Sequence, residues 1–164
     1  MAEVRITGGC QCGAVRYALH EQPSGPHICH CRMCQKAFGS FFAPLAGVAM
    51  DKFEVTRGAI SYFRSSDEVE RGFCALCGTP LIFHYVGKPR LAFALGSLDE
   101  PAKIQPREQF GIEARMPWFG ELAALPGDKT TEEDNADLAA AIAHSNHQHP
   151  DHDTAEWPLA SSTR

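Results

Sequence analysis

The sequence has no hydrophobic stretch long enough to span a membrane. Its longest apolar segment, residues 41–50, contains Pro44 and Gly47 and is about half as long as the roughly 20 residues that a spanning helix needs. The first residues also do not combine a basic start with an apolar core, which is the pattern of an export signal. We therefore expect no membrane association and a cytoplasmic location.

Basic residues are scarce relative to acidic ones. The chain of 164 residues has 15 Lys and Arg against 20 Asp and Glu, which gives a formal net charge of -5. A surface of this sign repels nucleic acid and anionic lipid. The partners that we expect are therefore small molecules and not nucleic acid, while the oligomeric state is left open.

Helical periodicity is scarce before residue 130. Short β-rich segments separated by glycine and proline predict a mainly β domain built from antiparallel strands. The predicted strands cover residues 4–8, 14–19, 41–50, 53–56, 60–64, 81–86, 91–98 and 110–114. A single short turn of helix is predicted over residues 32–38.

The composition changes after Gly127. Thr130 is followed three residues later by Glu133, which is the pattern of a capping box and predicts an alanine-rich helix over residues 130–143. Polar sequence interrupted by proline follows. We therefore predict a domain over residues 1–127 and a C-terminal helix with a flexible tail over residues 128–164. Four histidines of this tail are predicted to be solvated and not bound to metal, namely His144, His147, His149 and His152.

The sequence also lacks the even number of cysteines that a disulfide framework normally needs. The seven cysteines form three tight clusters: Cys10 and Cys12; Cys29, Cys31 and Cys34; Cys74 and Cys77. Two cysteines separated by one residue would close a small ring that is far from relaxed disulfide geometry. Four thiolates close a structural zinc site, whereas three leave a position for water or substrate. The clusters therefore predict two zinc ions, one of which has an open position.

Each cluster has local features that favour metal binding. Cys74 and Cys77 are followed by Gly78, which can adopt the positive φ of a tight knuckle. A flat strand would hold the β-carbons of Cys10 and Cys12 about 7 Å apart, and the neighbouring glycines allow the bend that brings these sulfurs together. The middle cluster runs from a loop into a helical turn, so its sulfurs can converge on one ion. Spacing alone leaves open which cluster shares an ion with Cys10 and Cys12.

His30 lies between two of the predicted ligands, Cys29 and Cys31. Because side chains at alternate positions of an extended chain point to opposite sides, His30 is expected to face away from the ion. We therefore expect His30 to contact the ligands from outside or to lie in solvent, and we do not count it among the predicted ligands.

Several motifs occur in a fixed order with flanking glycines. They are GGCQCGAVRY at residues 8–17, CHCRMC at 29–34 with Gly39, RGFCALCG at 71–78, GSLD at 96–99 and PW at 117–118. Together they resemble the glutathione-dependent formaldehyde-activating enzyme family over about residues 4–125. The resemblance implies an all-β, tent-like fold. It also implies the activity of an S-(hydroxymethyl)glutathione synthase, a carbon–sulfur lyase that joins glutathione and formaldehyde.

The resemblance further implies how the cysteines pair. A structural zinc would be held by Cys10, Cys12, Cys74 and Cys77, and a catalytic zinc by Cys29, Cys31 and Cys34. We expect the open position of the catalytic zinc to bind the sulfur of glutathione and lower its pKa, so that the thiolate attacks the aldehyde. The alternative is that the ion polarises the aldehyde oxygen, but three anionic ligands make it a weaker Lewis acid. The chain departs from the family pattern shortly after Pro106, where Gln109 and Phe110 replace the usual His-Ile pair.

Contacts to the thiol substrate are predicted from charge. Glutathione is anionic, so a net-negative protein must offer it a local positive patch. Arg32 and Lys36, on the turn beside the middle cluster, are the first candidates. The next candidates are Arg64, Arg71 and Arg115.

A second functional class stays open beside the enzyme. The chain can instead be a non-catalytic binding module that zinc stabilises, with both ions fully enclosed by protein. Such a module would normally carry a basic or low-complexity arm, and the acidic balance of this chain favours the enzyme.

Overall fold

The computed structural model describes residues 4–128 and 134–158. Within these residues the chain forms ten β-strands and two α-helices. The strands are β1 (Ile6–Gly9), β2 (Arg16–Leu19), β3 (Ser24–Cys29), β4 (Ala43–Ala49), β5 (Phe53–Arg57), β6 (Ser61–Ser66), β7 (Val69–Phe73), β8 (Pro80–Tyr85), β9 (Arg90–Ala94) and β10 (Glu108–Phe110). The helices are α1 (Arg32–Phe38) and α2 (Ala136–Ser145). The predicted mainly β fold is confirmed, and in the described ranges no helix is both long and apolar enough to cross a bilayer.

The strands form two sheets. Strands β1, β2 and β5 make a small antiparallel sheet, and the other strands make a second sheet in the order β10-β3-β4-β9-β8-β7-β6. Neighbours in the second sheet are antiparallel, except that β10 runs parallel to β3. A parallel pair requires a long connection, and here the chain passes through most of the domain between the two strands. This pairing lays residues 108–110 beside the end of β3.

One hydrophobic core joins the two sheets. Tyr17 of β2 is fully buried, stacks on Phe53 at 4.8 Å between ring centroids and lies 6.3 Å from Phe93 of β9. Its hydroxyl is 2.7 Å from the hydroxyl of Ser97, which satisfies the polar group in the core. Cys10 and Cys74 border this core, whereas Cys34 belongs to a smaller one. Cys10 and Cys74 are therefore held by a different packed region from Cys34.

The strand predictions omit two observed strands and include one segment that is not a strand. Strands β3 and β7 are not predicted, because Gly25 and Pro26 interrupt the first and the inward position of the second is taken by Arg71. The strand predicted over residues 110–114 is wrong. The chain there leaves β10 at Phe110, turns at Gly111 with φ 65°, and continues as a 3₁₀ turn over Ile112–Ala114.

The helices agree with the sequence to different extents. Helix α1 covers the predicted residues and ends at Gly39, whose φ of 58° is the left-handed cap that glycine adopts most easily. Helix α2 begins later than predicted, and the side chain of Asn135 caps it by accepting from the backbone amide of Leu138 at 3.1 Å. The capping box of Thr130 and Glu133 lies outside the described residues. The division of the chain at residue 127 stays a prediction.

Candidate metal centres and the cavity beside them

Four cysteine sulfurs from distant parts of the chain converge at the edge of the main core. The four-cysteine group consists of Cys10, Cys12, Cys74 and Cys77, whose sulfurs all lie within 4.8 Å of one another. The Sγ atoms of Cys10 and Cys12 are 3.6 Å apart, and those of Cys12 and Cys74 are 3.9 Å apart. Tetrahedral coordination with bonds of about 2.3 Å places sulfurs about 3.8 Å apart. The donor set therefore fits one zinc ion.

Two knuckles shape this group. Gly13 and Gly78 have φ values of 74° and 77°. The amide of Gly13 donates to the carbonyl of Cys10 at 3.1 Å, and that of Gly78 donates to the carbonyl of Cys74 at 2.9 Å. Only glycine reaches such φ values without strain, so these residues allow each loop to fold back under its sulfurs. The amide of Val15 also donates to the sulfur of Cys10 at 3.2 Å, as is typical around a thiolate.

The thiols of this group have different pKa values because their surroundings differ. Burial raises the pKa of Cys10 far above its usual value, because a buried thiolate loses its hydration. Burial acts in the same direction on Cys77, but hydrogen bonds from the hydroxyl of Thr79 and from backbone amides outweigh it and bring the pKa to about 6. A divalent cation would favour the ionised form of all four thiols, since metal ligation deprotonates a thiol outright.

The C-terminal segment packs on this group. The amide of His149 donates to the carbonyl of Gln11 at 2.7 Å, and the indole Nε1 of Trp157 donates to the carbonyl of Cys12 at 2.9 Å. The two aromatic rings meet at 4.9 Å over Gly13, where a β-carbon would come within 2.6 Å of each ring. The glycine thus provides both the turn and the space for the rings.

This packing corrects one prediction about the tail. His149 is only 4% exposed, although its sequence context predicts a solvated side chain. A glycine knuckle and a distant tryptophan create its buried site, and neither is close to it in the sequence. His144, His147 and His152 are exposed as predicted. Among the residues that the structure describes, none of the four joins a group of metal-ligating atoms.

Ion pairs tie the same segment to the small sheet. Arg16 donates to both carboxylate oxygens of Asp99, at 2.8 and 2.6 Å, and to Asp153 at 2.8 Å. The side chain of Arg16 is 4% exposed and that of Asp99 is 8% exposed. Burial raises the pKa of Asp99, but the hydrogen bonds from Arg16 and Thr7 lower it more, so the carboxylate stays ionised. The ordered path of the segment therefore depends on Asp153 as well as on Trp157.

The other three cysteines form the three-cysteine group. Cys29 ends β3, Cys31 precedes α1 and Cys34 lies within α1, and their sulfurs are within 4.8 Å of one another. Because the strand runs directly into the helix, one short segment brings all three sulfurs to one point. Cys34 is buried and the other two are half-buried. Over residues 4–128 and 134–158, no fourth histidine, cysteine or carboxylate atom completes this group.

A buried arginine contacts the three-cysteine group. The Nη2 of Arg71 donates to the sulfur of Cys34 at 3.6 Å, and its guanidinium lies 5.0 Å above the ring of Phe83. Arg71 is 7% exposed, and its Nη1 has no hydrogen-bond partner in the described part of the chain. The charge on Arg71 therefore acts on the sulfurs with little screening by water.

This arginine also affects thiol acidity. Burial raises the pKa of Cys34 to about 12, although the hydrogen bond from Arg71 opposes the change. Burial also acts to raise the pKa of Cys31, but hydrogen bonds from Cys34 and Cys29 and the charge of Arg71 lower it below its usual value. The half-buried sulfur at the start of the helix is thus the one most easily ionised in this group.

Arg71 carries only a weak signal in the sequence. It belongs to the RGFCALCG motif but ranks behind Arg32 and Lys36 as a predicted contact. A charged residue at an inward strand position next to a cysteine pair is the feature that could have identified it.

Two depressions flank the arginine. The first, the sulfur cavity, has a volume of about 460 Å³ and includes all three sulfurs of the three-cysteine group in its wall. Its other lining residues are His27, Leu45, Phe83, Tyr85, Arg90, Leu91, Ala92 and Phe110. The second, the basic groove, has a volume of about 490 Å³ and contains the three cations Arg32, Lys36 and Arg71. Arg32 and Lys36 therefore lie in the neighbouring groove and not in the cavity with the sulfurs.

Comparison with known proteins agrees with this geometry. The family model described as glutathione-dependent formaldehyde-activating enzyme matches residues 5–113. The chain belongs to this family. The match includes every cysteine of both groups and ends just after Gly111, so helix α2 and the segment that contains His149 and Trp157 lie beyond it.

A solved structure shows the same fold as this member of the family. It is the crystal structure of a Rhodobacter sphaeroides protein, which is 22% identical and superposes with a TM-score of 0.51. The similarity covers 63% of this chain and 98% of that chain. At this level of identity the likeness establishes the fold and nothing about activity.

Gln109, at the position where the resemblance implies a histidine, lies on β10 and contacts His30. The Nε2 of His30 lies 3.0 Å from Oε1 of Gln109, and a carbonyl oxygen can only accept, so the ring donates. His30 is fully buried, its ring packs against Phe42 and Phe119, and it does not belong to the group of metal-ligating atoms that the three sulfurs form. The side-chain amide of Gln35 donates to the carbonyl of His30 at 2.8 Å and to that of Ala114 at 2.9 Å. Gln109 therefore helps to hold the loop that carries Cys29 and Cys31.

Proposed function

We propose that this protein is a zinc-dependent carbon–sulfur lyase that joins a small thiol, glutathione, to formaldehyde or a related aldehyde. The observation that carries the proposal is the placement of three sulfurs in the wall of a cavity, with no fourth protein ligand beside them in the described residues. A tetrahedral ion held by these sulfurs keeps one position for a ligand from solution. Membership of the family supports the same activity.

The two groups of cysteines would have different roles. The four-cysteine group would hold a structural zinc, since four sulfurs at tetrahedral spacing leave no position for a substrate. Cys29, Cys31 and Cys34 would hold the catalytic zinc. The structural site would stabilise the junction of the two sheets, because it links residues 62 positions apart.

A zinc ion in the three-cysteine group would supply a lowered thiol pKa, so that a thiolate is available at neutral pH. The protein would contribute charge balance, because Arg71 lies against Cys34 and offsets the negative charge that three thiolates concentrate. Cys29 and Cys31 would face the cavity from which the aldehyde approaches. A sulfur–carbon bond then forms, and the electron pair of the carbonyl bond moves to oxygen. That oxygen receives the proton that the thiol has lost, so the addition is redox-neutral.

Arg32 and Lys36 remain our proposed contacts for the thiol substrate. Both are exposed in the basic groove, which also contains Arg71, and the guanidinium of Arg71 contacts Cys34 in the wall of the sulfur cavity. A thiol whose sulfur reaches the ion could therefore extend its carboxylates toward these cations. Replacing both by glutamine should raise the KM for glutathione and leave the zinc content unchanged, because neither side chain contacts a sulfur.

The proposal is tested by metal analysis and kinetics of the variant Cys31→Ser. We expect two zinc ions per chain for the wild type and one for the variant, with adduct formation reduced to the uncatalysed rate. Because thiols add to formaldehyde spontaneously, that background must be subtracted from every rate. Leu76→Ser is the matched control, since Leu76 is 61% exposed beside the other cysteine group. An undiminished rate in Cys31→Ser after loss of one zinc would contradict the proposal.

The binding module gives a different result in the same measurements. Both zinc ions would then resist addition of glutathione, and the wild type would not exceed the background rate. Seven cysteines that are all free thiols suit a reducing compartment, so we propose a cytoplasmic location. With a net charge of -5, we propose small molecules and not nucleic acid as partners.

A further inference from the structure

The sulfur cavity is much larger than formaldehyde requires. Its volume is about 460 Å³, within the range of pockets that bind ligands of many atoms, whereas formaldehyde has only two heavy atoms. Side chains of β4, β8 and β9 form its wall beside the sulfurs, with Leu45 buried and Phe83 and Ala92 half-buried. Phe110 and Tyr85 stand at its opening, with exposures of 48% and 57%. The space next to the metal ligands is therefore mainly hydrocarbon.

Two polar residues of this cavity, Arg90 and His27, already have hydrogen-bond partners. Arg90 donates to Ser24 at 2.8 Å and to the carboxylate of Glu21 at 3.2 Å. The imidazole of His27 is hydrogen-bonded to the carbonyl of Gly25 at 2.8 Å, and its ring meets that of Phe110 at 4.8 Å. A carboxylate in this cavity would lose hydration and would have to compete with Glu21 for Arg90, which is unfavourable. The charged parts of a thiol such as glutathione fit the basic groove better.

We infer that the aldehyde substrate carries an apolar alkyl or aryl group, which binds in the sulfur cavity against Leu45, Phe83 and Ala92. The inference rests on the proposed function and names its substrate class. The thiol sulfur occupies the position next to Cys31, and the charged part of the thiol lies in the basic groove. The carbonyl carbon approaches this sulfur from the side of the sulfur cavity, which is opposite to the basic groove. The alkyl or aryl group on that carbon therefore enters the cavity. The product is a hemithioacetal formed by the same redox-neutral addition.

The test uses the zinc-loaded protein with glutathione and straight-chain aldehydes from ethanal to hexanal. These aldehydes have similar electrophilicity and differ in apolar length. After subtraction of the background rate, kcat/KM should rise about threefold to fourfold per methylene group that the cavity buries. Phe110→Ser should flatten this dependence, because it removes apolar surface at the opening. Phe41→Ser is the matched control, since Phe41 is 45% exposed and lines neither the sulfur cavity nor the basic groove.

A binding measurement separates this inference from the proposed function. The primary alcohols from ethanol to hexanol have the same chains but cannot react, and their affinity can be followed by NMR shifts of residues that line the cavity. Affinity that rises with chain length in the wild type and not in Phe110→Ser supports the inference, provided that the rates follow the same trend. Rates and affinities that are independent of chain length would overturn it, even if formaldehyde is a good substrate. Chain-dependent binding without any catalysed addition would refute both the proposed function and the aldehyde assignment.

Discussion

Replacement of Arg71 by methionine should weaken zinc binding by the three-cysteine group alone. Arg71 is 7% exposed and donates to the sulfur of Cys34, so the interaction is little screened. A hydrogen bond that involves a charged group contributes about 1.5–3 kcal/mol, and about 1.4 kcal/mol corresponds to a factor of ten in affinity. The dissociation constant of this zinc should therefore rise by about 10- to 150-fold. This agrees with the 10- to 100-fold loss that is typical when a residue supporting a metal ligand is removed.

The assay is a chelator competition that resolves the two zinc ions of each chain. The four-cysteine group is an internal control, because Arg71 contacts none of its sulfurs. Arg71→Lys keeps the positive charge but not the planar donor, so its affinity should lie between those of the wild type and Arg71→Met. An unchanged affinity in Arg71→Met would refute the argument from charge. Equal losses of zinc affinity at both cysteine groups would show that the substitution acts through the fold and not through Cys34.

The remaining predictions concern the tail, one ion pair and one glycine. Trp157→Ala should speed the release of zinc from the four-cysteine group to a chelator, because a hydrogen bond and a covering ring are lost; an unchanged release rate would contradict a protective role. Burial lowers the pKa of His84, but a backbone carbonyl and Glu70 raise it more. Glu70→Gln should therefore cost most stability below about pH 6.5, and the difference from the wild type in urea unfolding should shrink as the pH rises through the folded pKa. Gly111→Ala should reduce zinc binding by the three-cysteine group in a metal titration, because a β-carbon at φ 65° would lie 2.7 Å from the amide of Cys31.

Much of the candidate site could be predicted because its chemistry is local in the chain. The spacings within each cluster, the glycines after Cys12 and Cys77, and the short turn after Cys31 are all set within a few residues. The same holds for α1, whose bounds match the prediction. Local backbone preferences decide such features, and the sequence displays them directly.

Strands β3, β7 and β10 show where this reasoning fails. Their pairing partners satisfy the backbone groups, so the strands form despite proline, glycine or charge in the segment. The inward position of Arg71 is tolerated because a sulfur and an aromatic ring accept its charge. Tertiary contacts thus override the local pattern at positions beside the candidate metal site.

The sequence by itself determined that the protein is mainly β, that cysteine thiols are its candidate metal ligands, and that three of them come from one short segment. Only the tertiary structure decided which sulfurs form one candidate metal site, since the sheets bring Cys10 and Cys12 to Cys74 and Cys77. It also decided that Arg71 contacts Cys34 and that Trp157 covers a knuckle at the other end of the chain. The physical reason is that ligand type and turn geometry depend on adjacent residues. Burial, charge pairing and cavity shape depend on residues that meet only when the sheets have formed.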